Sequence, residues 1–186
     1  MKVKLLNYTQ GAMNLLLLTK NTRLRFQEDP AAWSEEKRHE HMGYMRDTIK
    51  SAFEFVDYTF QITGVTRAFT HQLVRSRQGS YQQESQRTVD VRDSPVVRPD
   101  SLDTVGVPGL WSEAEEHALR AYAQMVDAGV PVQDARGILP TNMTTSIIAK
   151  FSLRTLHEMA KVRLCVRTQG EYQDVFRAMR AAVIAV

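Results

Sequence analysis

The sequence predicts a mixed α/β (α+β) chain, and three stretches carry that prediction. "FEFVDYTFQIT", Phe53 to Thr63, is dense in aromatic and β-branched residues, which suits a strand. "VTRAFTHQLVR", Val65 to Arg75, sets Val65, Ala68, Phe69 and Leu73 along one side of a helix, with Arg67, His71 and Arg75 on another. "SLRTLHEMAKVR", from Ser152, reads as a second helix after the loop and strand of "LPTNMTTSIIAKF".

The remaining elements follow in order. "KVKLLNYT" alternates Val3 and Leu5 with Lys2 and Lys4, the period of a strand, before Leu6 and Tyr8 slip to the other face. A short helix runs through "AMNLLLL"; Asp29-Pro30 interrupts; Ser34 opens a polar helix that ends near Lys50, with His39 and His41 as surface residues pointing apart. Gly64 punctuates the Phe53–Thr63 strand. "TVDVRDSPVVRPDS" predicts a short strand dissolving into a Pro- and Asp-rich loop. Ser112 and Glu115 have capping-box spacing for a helix through Asp127, which Gly129 stops. Pro131 begins a short turn ending at Gly137, and Gln169 to Ala185 forms the last helix.

The 186 residues fit a single domain, 1–186, and 43% hydrophobic with 24% charged content is that of an ordinary globular chain. Net charge is only +3, so the position of the arginines matters more than their number. One cysteine, Cys165, excludes an internal disulfide framework and fits a reducing compartment. "NLLLLT" is too short to span a bilayer, and the start lacks the plan of a signal peptide, so the expected location is cytoplasmic, without a membrane partner.

Nucleophile and metal chemistry find little support. Cys165 lies between Arg163 and Arg167, which would lower a thiol pKa, but no Cys-His signature accompanies it. No HExxH, CxxC, Walker loop or GxGxxG turn occurs, and no metal is expected. Arginine remains: Arg75, Arg77, Arg87, Arg136, Arg154, Arg163 and Arg167 recur in structured segments. Grouped guanidiniums bind phosphate bidentately, whereas the plainer reading is a set of surface salt bridges.

"RSRQGSYQQESQR", Arg75 to Arg87, concentrates the question. Arg75 shares a helical face with Gln72; after Gly79, Ser80, Gln82, Gln83, Ser85 and Arg87 supply donors and acceptors along an extended segment. That chemistry suits a phosphate and a base edge, and equally a solvated loop. Tyr81 stacks on a base or flavin, or packs on its own loop. Few aromatics lie among the arginines, which disfavours a nucleic-acid module.

These residues resemble the flavin-dependent thymidylate synthases. The family signature, Arg-His-Arg, seven residues, Ser, then Arg two residues on, matches Arg75-Ser76-Arg77, Ser85 and Arg87 except at the central histidine. "FEF", "GVPVQDARGILPTN" and "LRTLHEMAKVR" resemble the family in the same order. The resemblance implies a central sheet flanked by helices, a homotetramer with interface active sites, and FAD as cofactor. It also implies NADPH as reductant and methylenetetrahydrofolate as donor to C5 of dUMP.

By position, the resemblance puts Gln72, Arg75, Gln83, Glu84, Ser85, Gln86, Arg87 and, from a neighbouring subunit, Arg136 at the nucleotide. Arg163 becomes the catalytic cation facing the uracil as it ionises around N3. Ser51, Arg75, Ser76, Arg77, Gln78, Gln83, Ser152, Arg154 and Glu158 become flavin contacts. Departures fall at Ser76, Ile49, Phe55 and Arg167, where histidines are usual, at Thr88 for tyrosine, and at Ser152 and Glu158 for asparagines. Most touch the flavin or folate side. A relative acting on another pyrimidine nucleotide such as UMP, and a non-catalytic nucleotide- or flavin-binding protein, therefore stand as alternatives.

Overall fold

The computed structural model describes residues 1–20 and 28–186. Among them, four strands, β1 (Lys2–Tyr8), β2 (Asp57–Thr66), β3 (Ser80–Gln83) and β4 (Thr144–Ser152), form one sheet in the order β1-β2-β4-β3. The helices are α1 (Ala12–Lys20), α2 (Glu35–Asp47), α3 (Arg67–Leu73), α4 (Ser101–Thr104), α5 (Pro108–Asp127), α6 (Val132–Ala135), α7 (Leu153–Arg163) and α8 (Gly170–Ile184). The mixed class is as the sequence predicts. No helix among the described residues is long and apolar enough to cross a membrane.

Two compact units emerge. The first comprises Met1–Lys2, Ile62–Arg75 and Gln82–Ile147. Val91, Tyr122, Ala135 and Met143 form a buried cluster in it, with Leu119, Met125, Val126 and Leu139 packed around them. The Tyr122 hydroxyl donates to Asp90 at 3.1 Å and accepts the Val91 amide at 3.3 Å, so the ring is buried without stranding its polar end. The second unit comprises Val3–Gln61, Ser76–Tyr81 and Ile148–Val186. Leu17, Met45, Val56, Phe60, Phe151, Tyr172, Val175 and Met179 are among its buried side chains.

Several expected boundaries move. The strand expected from Phe53 begins at Asp57, because Ser51–Phe55 is a 3-10 turn in which adjacent Ala52 and Phe53 are both buried. Successive residues of a strand face opposite sides, so a turn is what buries such a pair together. Gly64 does not end β2. It adopts φ +66° within the strand, which continues to Thr66. Val65 is therefore a strand residue, and the helix waits for Thr66, whose Oγ1 accepts the Phe69 amide at 3.0 Å. At the other end Val74 caps α3 and Arg75 lies beyond it.

"TVDVRDSPVVRPDS" holds no strand, only an isolated bridge between Val96 and Met143; Pro95 and Pro99 deprive it of ladder donors. The strand instead is β3, directly after Gly79. Ser112 and Glu115 form no capping box. Pro108 presets the backbone and starts α5 four residues earlier, leaving Ser112 Oγ to donate to the Pro108 carbonyl and Glu115 to accept from Trp111 Nε1. His39 is exposed as expected, but His41 is half-buried against Trp33, with Lys20 Nζ 2.9 Å from its Nδ1. Burial and the Lys20 charge lower its pKa.

Candidate functional site

In the first unit, the segment from Gln83 to Arg87 is tied down residue by residue. Gln83 Nε2 donates to Thr70 Oγ1 at 2.9 Å. The Glu84 amide donates to the Ser146 carbonyl at 2.9 Å, and Glu84 Oε2 accepts the Ser146 amide at 3.1 Å. Arg67 Nη2 donates to the Glu84 carbonyl at 2.9 Å. Arg67, on the basic side of its helix, is thus half-buried and turned onto this segment. Its pKa falls through burial and the nearby Arg136 charge. Ser85 Oγ accepts the Arg87 amide at 3.1 Å. Gln86 is buried, its amide nitrogen 3.4 Å from Met143 Sδ, so its side chain serves the interior.

Gln133, which the sequence reading missed, joins two expected phosphate ligands. Its Oε1 accepts Arg87 Nε at 3.2 Å and its carbonyl accepts Arg136 Nε at 3.1 Å. Gln72 and Arg75 remain adjacent through the turn that ends α3, where the Arg75 amide donates to the Gln72 carbonyl at 3.3 Å.

In the second unit, Glu54 organises part of the expected flavin set, and it too was missed. Its carboxylate accepts Ser152 Oγ at 2.8 Å and pairs with Arg154 at 3.4 Å. Ser152 is also the N-cap of α7, its oxygen accepting the Thr155 amide at 3.2 Å. Ser51 begins the same 3-10 turn that carries Glu54. A depression of about 210 Å³ is lined by Lys20, Tyr44, Ile49 and Ser51. Glu158 pairs with Lys161 at 2.8 Å instead of joining this group.

The altered signature position is packed from within its own loop. Tyr81 hydroxyl donates to the Ser76 carbonyl at 2.7 Å, and the Tyr81 ring meets Phe151 edge-on at 5.7 Å. Burial pushes the Tyr81 phenol up to about 12. Of the two roles open to Tyr81, this is packing on its own loop. Arg163, at the end of α7, lies over the Tyr172 ring with Cζ 4.5 Å from the centroid. The Cys165 thiol is lowered chiefly by the Arg167 backbone amide and then by its side chain.

Arg46, Arg92, Arg98, Arg120 and Arg177 all pair with carboxylates. Of the seven singled out, Arg154 alone does so among the described residues. Arg75 and Arg77 are exposed. Such guanidiniums are ready donors for an anionic ligand. Within the second unit, Arg77, the hydroxyls of Ser51 and Ser76 and the amide of Gln78 offer the donor chemistry that a dinucleotide carrying two phosphates takes.

A family model described as Thymidylate synthase complementing protein matches residues 4–186. The chain is 32% identical to the curated flavin-dependent thymidylate synthase of Sulfolobus acidocaldarius, over 94% of this chain and 69% of the relative. The enzyme of that name from Geobacter sulfurreducens is 40% identical over 66% of this chain and 54% of its own length. For Pyrococcus abyssi the figures are 30%, 94% and 75%. The matched region is thus between about half and three quarters of each relative. With the family match running nearly end to end along this chain, the chain belongs to the flavin-dependent thymidylate synthase family.

Proposed function

We propose that this chain, acting as a single domain, converts dUMP to dTMP with methylenetetrahydrofolate as one-carbon donor and NADPH-reduced FAD as reductant. The carrying observation is that Arg75, Arg77, Arg87, Arg136 and Arg163 have no carboxylate partner among the described residues. Arg75 and Arg87, with Arg136 from a neighbouring subunit, hold the phosphate, their forks matching its oxygens. Gln72 and Gln83 present amides to the base, with Glu84 and Ser85 completing the nucleotide segment. Arg163 supplies a fixed cation where negative charge develops on the uracil around N3, a preorganised charge that water would have to reorganise to match.

Ser51, Ser76, Arg77, Gln78, Ser152 and Arg154 would hold FAD, with Arg75 and Gln83 shared between it and the nucleotide. When bound and reduced, FAD supplies the electrons that turn the transferred carbon into a methyl group. No step requires Cys165. We infer a cytoplasmic homotetramer with sites completed at subunit interfaces. Exposed Ile49 and Phe55, 70% and 58% accessible around Ser51, supply apolar surface for a ring or a neighbouring subunit to cover.

A second reading, C5 methylation or hydroxymethylation of another pyrimidine nucleotide such as UMP, draws on Glu54, which already engages both Ser152 and Arg154 on the cofactor side.

The test begins with the absorbance spectrum of the purified chain supplemented with FAD, mixed anaerobically with NADPH and dUMP, and sedimentation of the same sample. Bleaching of the flavin band and dTMP formation on adding the folate are expected, in a tetramer. Arg163→Ala should lower turnover by about 10²–10³-fold, while weakening dUMP binding far less. Binding of dUMP without flavin binding or reductant consumption would refute the enzyme reading; preference for UMP would select the second.

A further inference from the structure

Arg163 ends α7, and its guanidinium rests on a ring that is itself fully buried. Tyr172 belongs to the first turn of α8, and the intervening turn is braced. Thr168 Oγ1 donates to the Val162 carbonyl at 2.9 Å, and Gln173 Nε2 donates to the Cys165 carbonyl at 2.9 Å. The two helices are therefore held at the point where cation and ring meet. The Tyr172 phenol oxygen is enclosed, with the side chains of Ser76 and Arg163 as polar neighbours. Ser76 is the residue that replaces the signature histidine.

We propose that Tyr172 is the positioning residue for Arg163: its buried ring fixes the guanidinium plane. The inference rests on the reading of Arg163 as the cation that meets the ionising uracil. A guanidinium over an aromatic face is attracted by the ring quadrupole, more strongly where water is excluded. Its planar shape also makes stacking directional, which a lysine ammonium would not be. The ring thus restricts the tilt of the cation without neutralising it, as a carboxylate partner would. Catalysis by a preorganised charge depends on that restriction.

A buried tyrosine also packs the core, so the test must change the ring's electrostatics and leave its shape nearly alone. In the full-length chain, Tyr172 is replaced by phenylalanine and by its mono-, di- and trifluorinated analogues, which progressively weaken the face's negative potential. Turnover is expected to fall stepwise, to about one tenth of the phenylalanine variant, with dUMP affinity held within about twofold. A readout without turnover uses 5-fluoro-dUMP, whose N3 ionisation is followed by absorbance. The lowering of its pKa on binding should shrink along the same series.

Flat turnover and flat N3 ionisation across the series would overturn the proposal. Should the fluorinated chains fail to fold, Arg163→Lys is the second arm. It keeps the charge at a half-buried helix end but loses the planar face; an unchanged N3 shift there would equally overturn it. The Arg163→Ala variant separates the two levels. If it retains wild-type turnover, the role of Arg163 itself falls; if it loses turnover while the series stays flat, only the role of Tyr172 does.

Discussion

Gly79 shows how one missing carbon organises the signature loop. A Cβ built there would lie 2.5 Å from the Tyr81 oxygen and 2.6 Å from a Phe151 ring carbon. The phenol has little freedom to retreat, since its hydroxyl is bonded to the Ser76 carbonyl and its ring leans on Phe151. Gly79→Ala is therefore expected to destabilise the fold by about 1–3 kcal/mol, as overpacking does, measured by urea denaturation. Adding Tyr81→Phe should recover part of the loss by removing the nearest atom. No loss in the single variant would mean the loop repacks freely. The sequence marks Gly79 as a turn residue, but it cannot say that the space beside it is already filled by a tyrosine two residues on.

At the scale of elements, α6 and the segment after β3 share Gln133. Its side chain is the acceptor for Arg87, and its carbonyl is the acceptor for Arg136. Gln133→Ala should weaken dUMP binding by about tenfold, equivalent to ~1.4 kcal/mol, by freeing Arg87. Melting should hardly change, because Gln133 is exposed; unchanged affinity by calorimetric titration would remove it from the site. The element boundaries that moved share one cause. Thr66, Pro108 and the adjacent pair Ala52 and Phe53 are local signals whose weight depends on what packs around them. By contrast, α1, α2, α7 and α8 lie close to where their periodicity and caps put them. Glu54 and Gln133 lie inside "FEF" and "GVPVQDARGILPTN", but their roles were not legible because each acts by reaching side chains distant in sequence.

For the whole molecule, buried phenols set an alkaline limit. Tyr58, Tyr81, Tyr122 and Tyr172 all have pKa values raised chiefly by burial, Tyr81 to about 12. A raised folded-state value means the protonated phenol favours folding. The contribution is fully present below the ordinary phenol pKa of about 10 and is lost as pH climbs through the folded values. Melting temperature should accordingly fall from about pH 10 upward, and Tyr81→Phe should flatten part of that decline. A profile indifferent to the substitution would show that the Tyr81 phenol does not carry the effect.

By itself, the sequence determined the mixed class, most helices, the arginine-rich signature and the family resemblance. These depend on composition, periodicity and spacing, which are properties of neighbouring residues along the chain. Only the tertiary structure decided that Gln86 faces Met143, that Arg67 turns onto Glu84, and that Arg163 rests on Tyr172. Those outcomes join residues far apart in the chain or separated by a turn, and they follow from burial and geometry. A guanidinium reads the same in a string of letters whether it meets a carboxylate, an amide or an aromatic face; packing selects among them.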